Sequence, residues 1–204
     1  VTAGYFVRKK NVKKAEAPPV HFTRFVSIDF ETADHGRDSA CAIGLVVVEN
    51  RKIVRQITEL IRPPRRYFQF TWLHGIGWED VADKPTFAEL WPTIAPCFEG
   101  ADFIAAHNAS FDRGVLDECC GQSGGKAPDI RYLCTMRLAR ALWDIRPTKL
   151  SDVCGQFGIS LQHHDAGSDA LACARIVMRA DGSGVPESAF LKPAVKRIAP
   201  ETGV

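Results

Sequence analysis

The chain has 204 residues, 46% of them apolar, and a formal net charge of +2. That length fills one packed core and is too short for two ordinary domains; near-neutrality means that any nucleic-acid binding must come from a local basic groove or from metal ions. No stretch approaches the roughly 20 apolar residues of a membrane span, no signal-peptide pattern opens the chain, and the seven cysteines form no C-x-x-C pair, which gives the expectation of free thiols in a reducing cytoplasm.

In chain order, position 1 is valine rather than methionine. Arg8, Lys9, Lys10, Lys13 and Lys14 then precede Pro18-Pro19, so residues 1–22 read as a solvated basic arm, with nucleic-acid contact as the alternative. Phe25 to Glu31 (F-V-S-I-D-F-E) is an apolar, β-branched run suited to a buried strand. Cys41–Glu49 and Ile53–Ile61 are two further strands, joined through a turn at Asn50-Arg51-Lys52, so the first half is an antiparallel meander. Phe87, Leu90, Trp91, Ile94 and Phe98 have helical spacing, and Pro92 and Pro96 within that run predict a bent or broken helix.

Asp102–Ala106 reads as a short strand, followed by a helix with Ser110 as its N-cap running to about Cys120. Tyr132–Cys134 is another strand; Thr135–Trp143, Leu150–Phe157 and Ala166–Ala180 are helices. Residues 181–204 are a Pro- and Gly-containing tail without apolar periodicity. Three strands followed by alternating helix and strand imply a mixed α/β sheet with an antiparallel first half, flanked by helices. That order fits a ribonuclease-H-like fold among several other α/β folds.

Three segments carry chemistry-bearing residues. Asp29-Phe30-Glu31 ends the first strand, and alternation puts Asp29 and Glu31 on one face with Phe30 on the other. His107-Asn108-Ala109-Ser110-Phe111-Asp112 crosses from a strand end into a helix, where open α/β sheets place ligands. His163-His164-Asp165-Ala166-Gly167-Ser168-Asp169 leads into the last helix, with Asp165 as its cap and Asp169 one turn inside. Each alone has an ordinary explanation: an acidic strand edge, a carboxylate complementing a helix dipole, a surface histidine pair.

Together, in this order, D-F-E, H-N-A-S-F-D and H-D-A-G-S-D resemble the three exonuclease motifs of the DEDDh (DnaQ-like) 3′–5′ exonucleases, a family that includes polymerase proofreading subunits. The resemblance runs from about Phe25 to Ala180, so residues 23–180 are expected to form the exonuclease domain. Between the motifs, His74-Gly75-Ile76 with Pro85-Thr86-Phe87, and Lys149-Leu150-Ser151 to Phe157-Gly158-Ile159, are similar to the family's intervening segments. Residue by residue, the resemblance implies that Asp29, Glu31, Asp112 and Asp169 are metal-binding carboxylates and that His164 is the general base, with His163 as the alternative. It also places Phe30, Thr32, Leu73, His74, Asn108 and Phe111 beside the terminal nucleotide. Ala33-Asp34 departs from the threonine-glycine pair that many relatives carry after the first motif.

The chemistry demands these residue types. Converging carboxylates raise each other's pKa unless cations intervene, and two Mg²⁺ or Mn²⁺ ions about 4 Å apart suit in-line displacement at phosphorus. Hard oxygen ligands select these ions over zinc. Histidine, with an ordinary pKa of about 6.5, suits the removal of a proton from water. Phe30 and Phe111 adjoin metal ligands, where aromatic rings serve either as core or as stacking surfaces that tolerate any base. The leading expectation is therefore a metal-dependent DNA 3′–5′ exonuclease acting on single-stranded or frayed ends and releasing nucleoside 5′-monophosphates, free-standing or beside a DNA polymerase. The alternatives are an exoribonuclease or oligoribonuclease, and an inactive nucleic-acid-binding module on the same fold.

Overall fold

Apolar alternation and a tight turn build the first three strands. A computed structural model describes residues 18–180 and 182–193; the expected basic cluster at Arg8–Lys14 lies outside them. Strands β1 (Arg24–Thr32), β2 (Ala40–Glu49) and β3 (Lys52–Leu60) form the expected meander. Asn50 and Arg51 join β2 to β3 with left-handed φ of 45° and 69°, which matches the twist of a two-residue hairpin loop. β2 is buried over almost its whole length, whereas β3 forms the sheet edge and exposes Lys52, Arg55 and Glu59.

Strands β4 (Ile104–Ala106) and β5 (Tyr132–Cys134) complete a five-stranded mixed sheet of order β3-β2-β1-β4-β5, in which β4 runs parallel to β1 and β5 to β4. This is the mixed, helix-flanked sheet expected of a ribonuclease-H-like fold. Val26, Ile28 and Phe30 of β1 face the core cluster that contains α3 (Phe87–Ile94) and α4 (Ser110–Gln122) residues. Phe25 and its β2 partner Val48 face the opposite cluster, filled from α5 (Thr135–Trp143), α6 (Leu150–Phe157) and α7 (Ala166–Arg179).

The broken helix is realised. Thr86 and Glu89 exchange hydrogen bonds that cap α3, Pro92 lies inside it, and Pro96 belongs to the 3-10 turn Ala95–Phe98 that follows. One expectation is corrected: Ser110 is the first residue of α4, and Ala109 occupies the cap position without a side-chain bond. The Ser110 hydroxyl instead donates back to Asn108 Oδ1 at 3.3 Å, on a turn where Asn108 takes φ 64°. Two short helices, α1 (Thr71–His74) and α2 (Trp78–Val81), span only four residues each, too few to show a period. Beyond α7, Val185, Ala189 and Phe190 are buried; Val185 bridges Val20, and Phe190 bridges Leu133 of β5. Among the described residues no helix is long and apolar enough to cross a membrane.

Candidate active site

The site forms where β1 outruns its parallel neighbour. Pairing with β4 ends at Ser27–Ala105, so the C-terminal half of β1 opens on that side. The freed Phe30 N–H is taken by Asp112 Oδ1 at 3.2 Å, which brings the first turn of α4 to the strand. On the α7 face, Ser27 Oγ donates to the Ala170 carbonyl at 2.7 Å. Two residues on, Asp29 pairs across the sheet with Gly44, and a Cβ built on Gly44 would stand 1.9 Å from the Ala166 carbonyl oxygen. Only a residue without a side chain lets the start of α7 approach β2 this closely. Asp165 caps that helix by accepting from Ser168 N at 2.8 Å, and Asp169 is thereby delivered to Asp29 and Glu31.

Asp29, Glu31 and Asp169 each offer a carboxylate oxygen within 4.8 Å of one another. Asp112 is not in that tight triad, but it lines the same pocket of about 490 Å³, together with His163 and His164. His163 and His164 stack with ring centroids 3.9 Å apart. His163 Nδ1 meets Asp169 Oδ2 at 3.1 Å, whereas His164 reaches that oxygen through its backbone N–H at 3.3 Å, its imidazole bordering the pocket.

Burial, and then mutual repulsion, dominates the electrostatics. Burial raises Asp29 well above the ordinary carboxylate range, and the charges of Asp112, Asp169 and Glu31 push the same way. Glu31 is raised to about 7 by burial, with Asp169 and Asp165 adding to it. Asp112 is raised to about 8, chiefly by burial, despite its bond from Phe30. Asp169 is also raised by burial, against the opposing bond from His163. Burial lowers His164, and neighbouring His163 adds to that effect. Two carboxylate oxygens, Asp112 Oδ2 and Asp169 Oδ1, are buried without any hydrogen-bond partner. Such atoms are costly unless something positive meets them, and an all-oxygen donor set suits a hard divalent cation. The residues fit a metal.

A second pocket of about 420 Å³ shares Phe30, Glu31 and Phe111 with the first and adds Thr32, Leu73 and His74. Five of the six residues expected beside a terminal nucleotide thus line it. Asn108 borders neither pocket: its carbonyl and side chain close the turn into α4. His74 Nε2–H donates to the Thr32 carbonyl at 3.2 Å while Nδ1 accepts from Ile76 N at 3.1 Å, which fixes a neutral imidazole. The departure at Ala33-Asp34 has a structural use. Asp34 is buried, and Arg65 binds both its oxygens at 2.6 and 2.7 Å and both oxygens of Asp38 at 2.7 and 2.8 Å. Hydrogen bonds from Arg65 hold the Asp34 carboxyl down at about 2.

Several pocket residues carry no isolated signal in the sequence. His35 and Arg37 line the second pocket; His35 stands edge-on to Phe70 at 4.8 Å, and Arg37 donates to the Phe111 carbonyl at 2.8 Å. Arg140 and Lys149 line the first. Arg140 donates to Thr148 Oγ1 at 2.6 Å, and the Thr148 carbonyl accepts from His107 Nε2 at 2.9 Å. Burial lowers His107 to about 4, so this link is made by a neutral ring. His107 therefore ties the end of β4 to the loop that carries Lys149, which only tertiary structure reveals.

Known proteins resemble this chain in sequence and fold. The chain is 39% identical over 102 residues to Exodeoxyribonuclease 10 of Escherichia coli strain K12, a match covering 50% of this chain and 40% of that relative. It is 27% identical over 176 residues to the DNA polymerase III subunit epsilon of Salmonella typhimurium, covering 78% of this chain and 72% of that subunit. The solved structure of Exonuclease X in complex with 5′ overhanging duplex DNA superposes with a TM-score of 0.61 at 27% identity, covering 81% of this chain and 96% of that one. The RNase_T exonuclease family model matches residues 26–177, from Val26 of β1 into α7, and the chain belongs to that family.

Proposed function

We propose that this protein is a 3′–5′ exonuclease that removes nucleotides from DNA ends, with residues 23–180 as the exonuclease domain. The observation that carries this reading is the convergence of Asp29, Glu31, Asp112 and Asp169 on one pocket, with two of their oxygens buried and unpartnered. Two divalent ions, Mg²⁺ or Mn²⁺, would be held by these carboxylates and would supply Lewis-acid stabilisation of the charge that builds on the scissile phosphate. The remaining work falls to the chain. Phe30 and Phe111, shared by the two pockets, orient the terminal nucleotide, with Thr32, Leu73 and His74 enclosing it. His164 accepts a proton at its imidazole from the attacking water as oxygen bonds to phosphorus and the bond to the 3′-oxygen of the preceding nucleotide breaks. A nucleoside 5′-monophosphate leaves, the 3′-oxygen takes a proton from solvent to become the 3′-hydroxyl of the shortened strand, and His164 returns its proton to solvent.

Arg140 and Lys149, which line the same pocket, supply positive charge for the strand's backbone. The similarity to a polymerase subunit supports a second element of the proposal, proofreading beside a DNA polymerase. The buried, unbridged cysteines support a reducing, cytoplasmic setting. Digestion of matched DNA and RNA strands labelled at the 5′ end, with Mg²⁺ or Mn²⁺, tests the activity and the sugar together. A ladder of DNA shortened stepwise from the 3′ end is expected. An RNA ladder alone would replace the substrate, and no ladder from either would contradict the activity.

A further inference from the structure

The segment between β3 and α2 leaves aromatic surface exposed beside the second pocket. Of the four large apolar side chains exposed among the described residues, three lie in seven consecutive positions: Tyr67 at 61%, Trp72 at 79% and Leu73 at 36%. Single exposed apolar residues need no explanation, but three so close in sequence, one of them in a pocket wall, do. Leu73 lines the second pocket together with Phe70 and His74, and Trp72 precedes it on the same short helix.

The backbone beneath these rings is pinned. Arg65 grips Asp34 and Asp38 at one end. Gln69 N and Phe70 N both donate to the Ala33 carbonyl, at 2.7 and 3.3 Å, and His74 bonds the Thr32 carbonyl at 3.2 Å. Gly75, at φ 80°, closes the turn by donating to the Thr71 carbonyl at 2.8 Å, and the Thr71 hydroxyl donates to the Ile76 carbonyl at 2.8 Å. Arg66 adds a guanidinium 5.0 Å from the Trp78 ring centre. Exposed aromatic rings and an arginine carried by one fixed stretch of backbone suit stacked bases near a polyanion.

We propose that Trp72 and Tyr67 form a stacking platform for the bases that lie 5′ of the nucleotide being removed, so that the enzyme grips a single-stranded 3′ tail beyond its terminal unit. The platform rests on the exonuclease reading and extends it, since neither ring lines the pockets that hold the terminal nucleotide and the carboxylates. An occupant of nucleic-acid bases is favoured over a protein because the surface continues from the wall of the second pocket and carries arginine.

The test compares two substrates with the full chain and Mn²⁺: a 5′-labelled single-stranded thymidine oligonucleotide, and the p-nitrophenyl ester of thymidine 5′-monophosphate, which has no upstream bases. Trp72→Ala is expected to lower kcat/KM on the oligonucleotide roughly tenfold, through KM, with ester hydrolysis unchanged. Trp72→Phe should retain most of the wild-type value, and Tyr67→Ala should lose less than Trp72→Ala. Ester hydrolysis by the variants reports that the fold and the carboxylate site are intact. Oligonucleotide kinetics unchanged in Trp72→Ala, the outcome if a protein partner covers this surface, overturn the platform; so does an equal loss on both substrates. Wild-type hydrolysis of the ester would stand in either case, so failure of the platform is distinct from failure of the exonuclease reading.

Discussion

His164 holds a left-handed backbone, φ 66°, an uncommon conformation for a residue with a Cβ. That geometry lets two adjacent histidines serve different ends. His163 turns its ring onto Asp169, and His164, whose ring stacks on that of His163 in the pocket wall, meets Asp169 only through its backbone N–H. In the proposed mechanism His164→Ala should lose about 10²–10⁴-fold in kcat, the usual cost of a general base, whereas His163→Ala should change kcat by no more than roughly tenfold. Single-turnover digestion separates the two; the opposite ranking would transfer the base to His163. Asp34 is a residue-scale case of stability. Its folded pKa of about 2 lies below the ordinary value, so its contribution is present above about pH 4 and is lost as pH falls through about 2. Asp34→Asn should cost about 1–2 kcal/mol at pH 7, discounted because Arg65 is 39% exposed, and the difference from wild type should vanish in strong acid. Denaturant titrations at both pH values check it.

At the scale of elements, β1 and the starts of α4 and α7 make the site, and Gly44 sets how closely the last of these approaches. Gly44→Ala should cost about 1–3 kcal/mol by overpacking, because the obstructing atoms are backbone. It should also lower activity by shifting Asp169 away from Asp29, so thermal melting and nuclease rate should fall together; a rate loss without a melting change would contradict that packing role. This is also where the limits of sequence reading show. The strands and helices were legible because strand alternation and helix spacing are local patterns, which place Asp29 and Glu31 on one face and Asp165 at the cap of the helix that carries Asp169; that the carboxylates act together was legible only through the resemblance of the three motifs to a known family. Helices α1 and α2 were not legible, since four residues carry no period. Nor were Arg37, Arg140 and Lys149, whose place in the pockets depends on partners such as Phe111 and Thr148 that are distant in sequence. Asn108 shows the converse: it sits inside a legible motif, and its side chain builds the turn rather than a pocket wall.

At the scale of the whole molecule, the carboxylate cluster couples stability to pH and to cations. Glu31 at about 7 and Asp112 at about 8 hold protons that the unfolded chain releases near pH 4. Across that window the folded state binds more protons than the unfolded state, so stability of the metal-free protein falls as pH rises. Melting temperatures in chelator should decline between pH 5 and 8, and Mn²⁺ should raise them more at pH 8 than at pH 5. Asp112→Asn should raise the metal-free melting temperature at pH 8, at about 2–4 °C per kcal/mol for a chain of this size, while abolishing cleavage. A variant both more stable and inactive is the signature of charges assembled for a ligand rather than for the fold.

The most direct measurement is calorimetric titration of Mn²⁺ into the metal-free protein at pH 7.5, compared among wild type, Asp29→Asn and Asp112→Asn. Saturable binding by wild type, weakened at least tenfold in each variant, is predicted. Undiminished binding in both variants, or none in wild type, would contradict a cation site shared by β1 and α4.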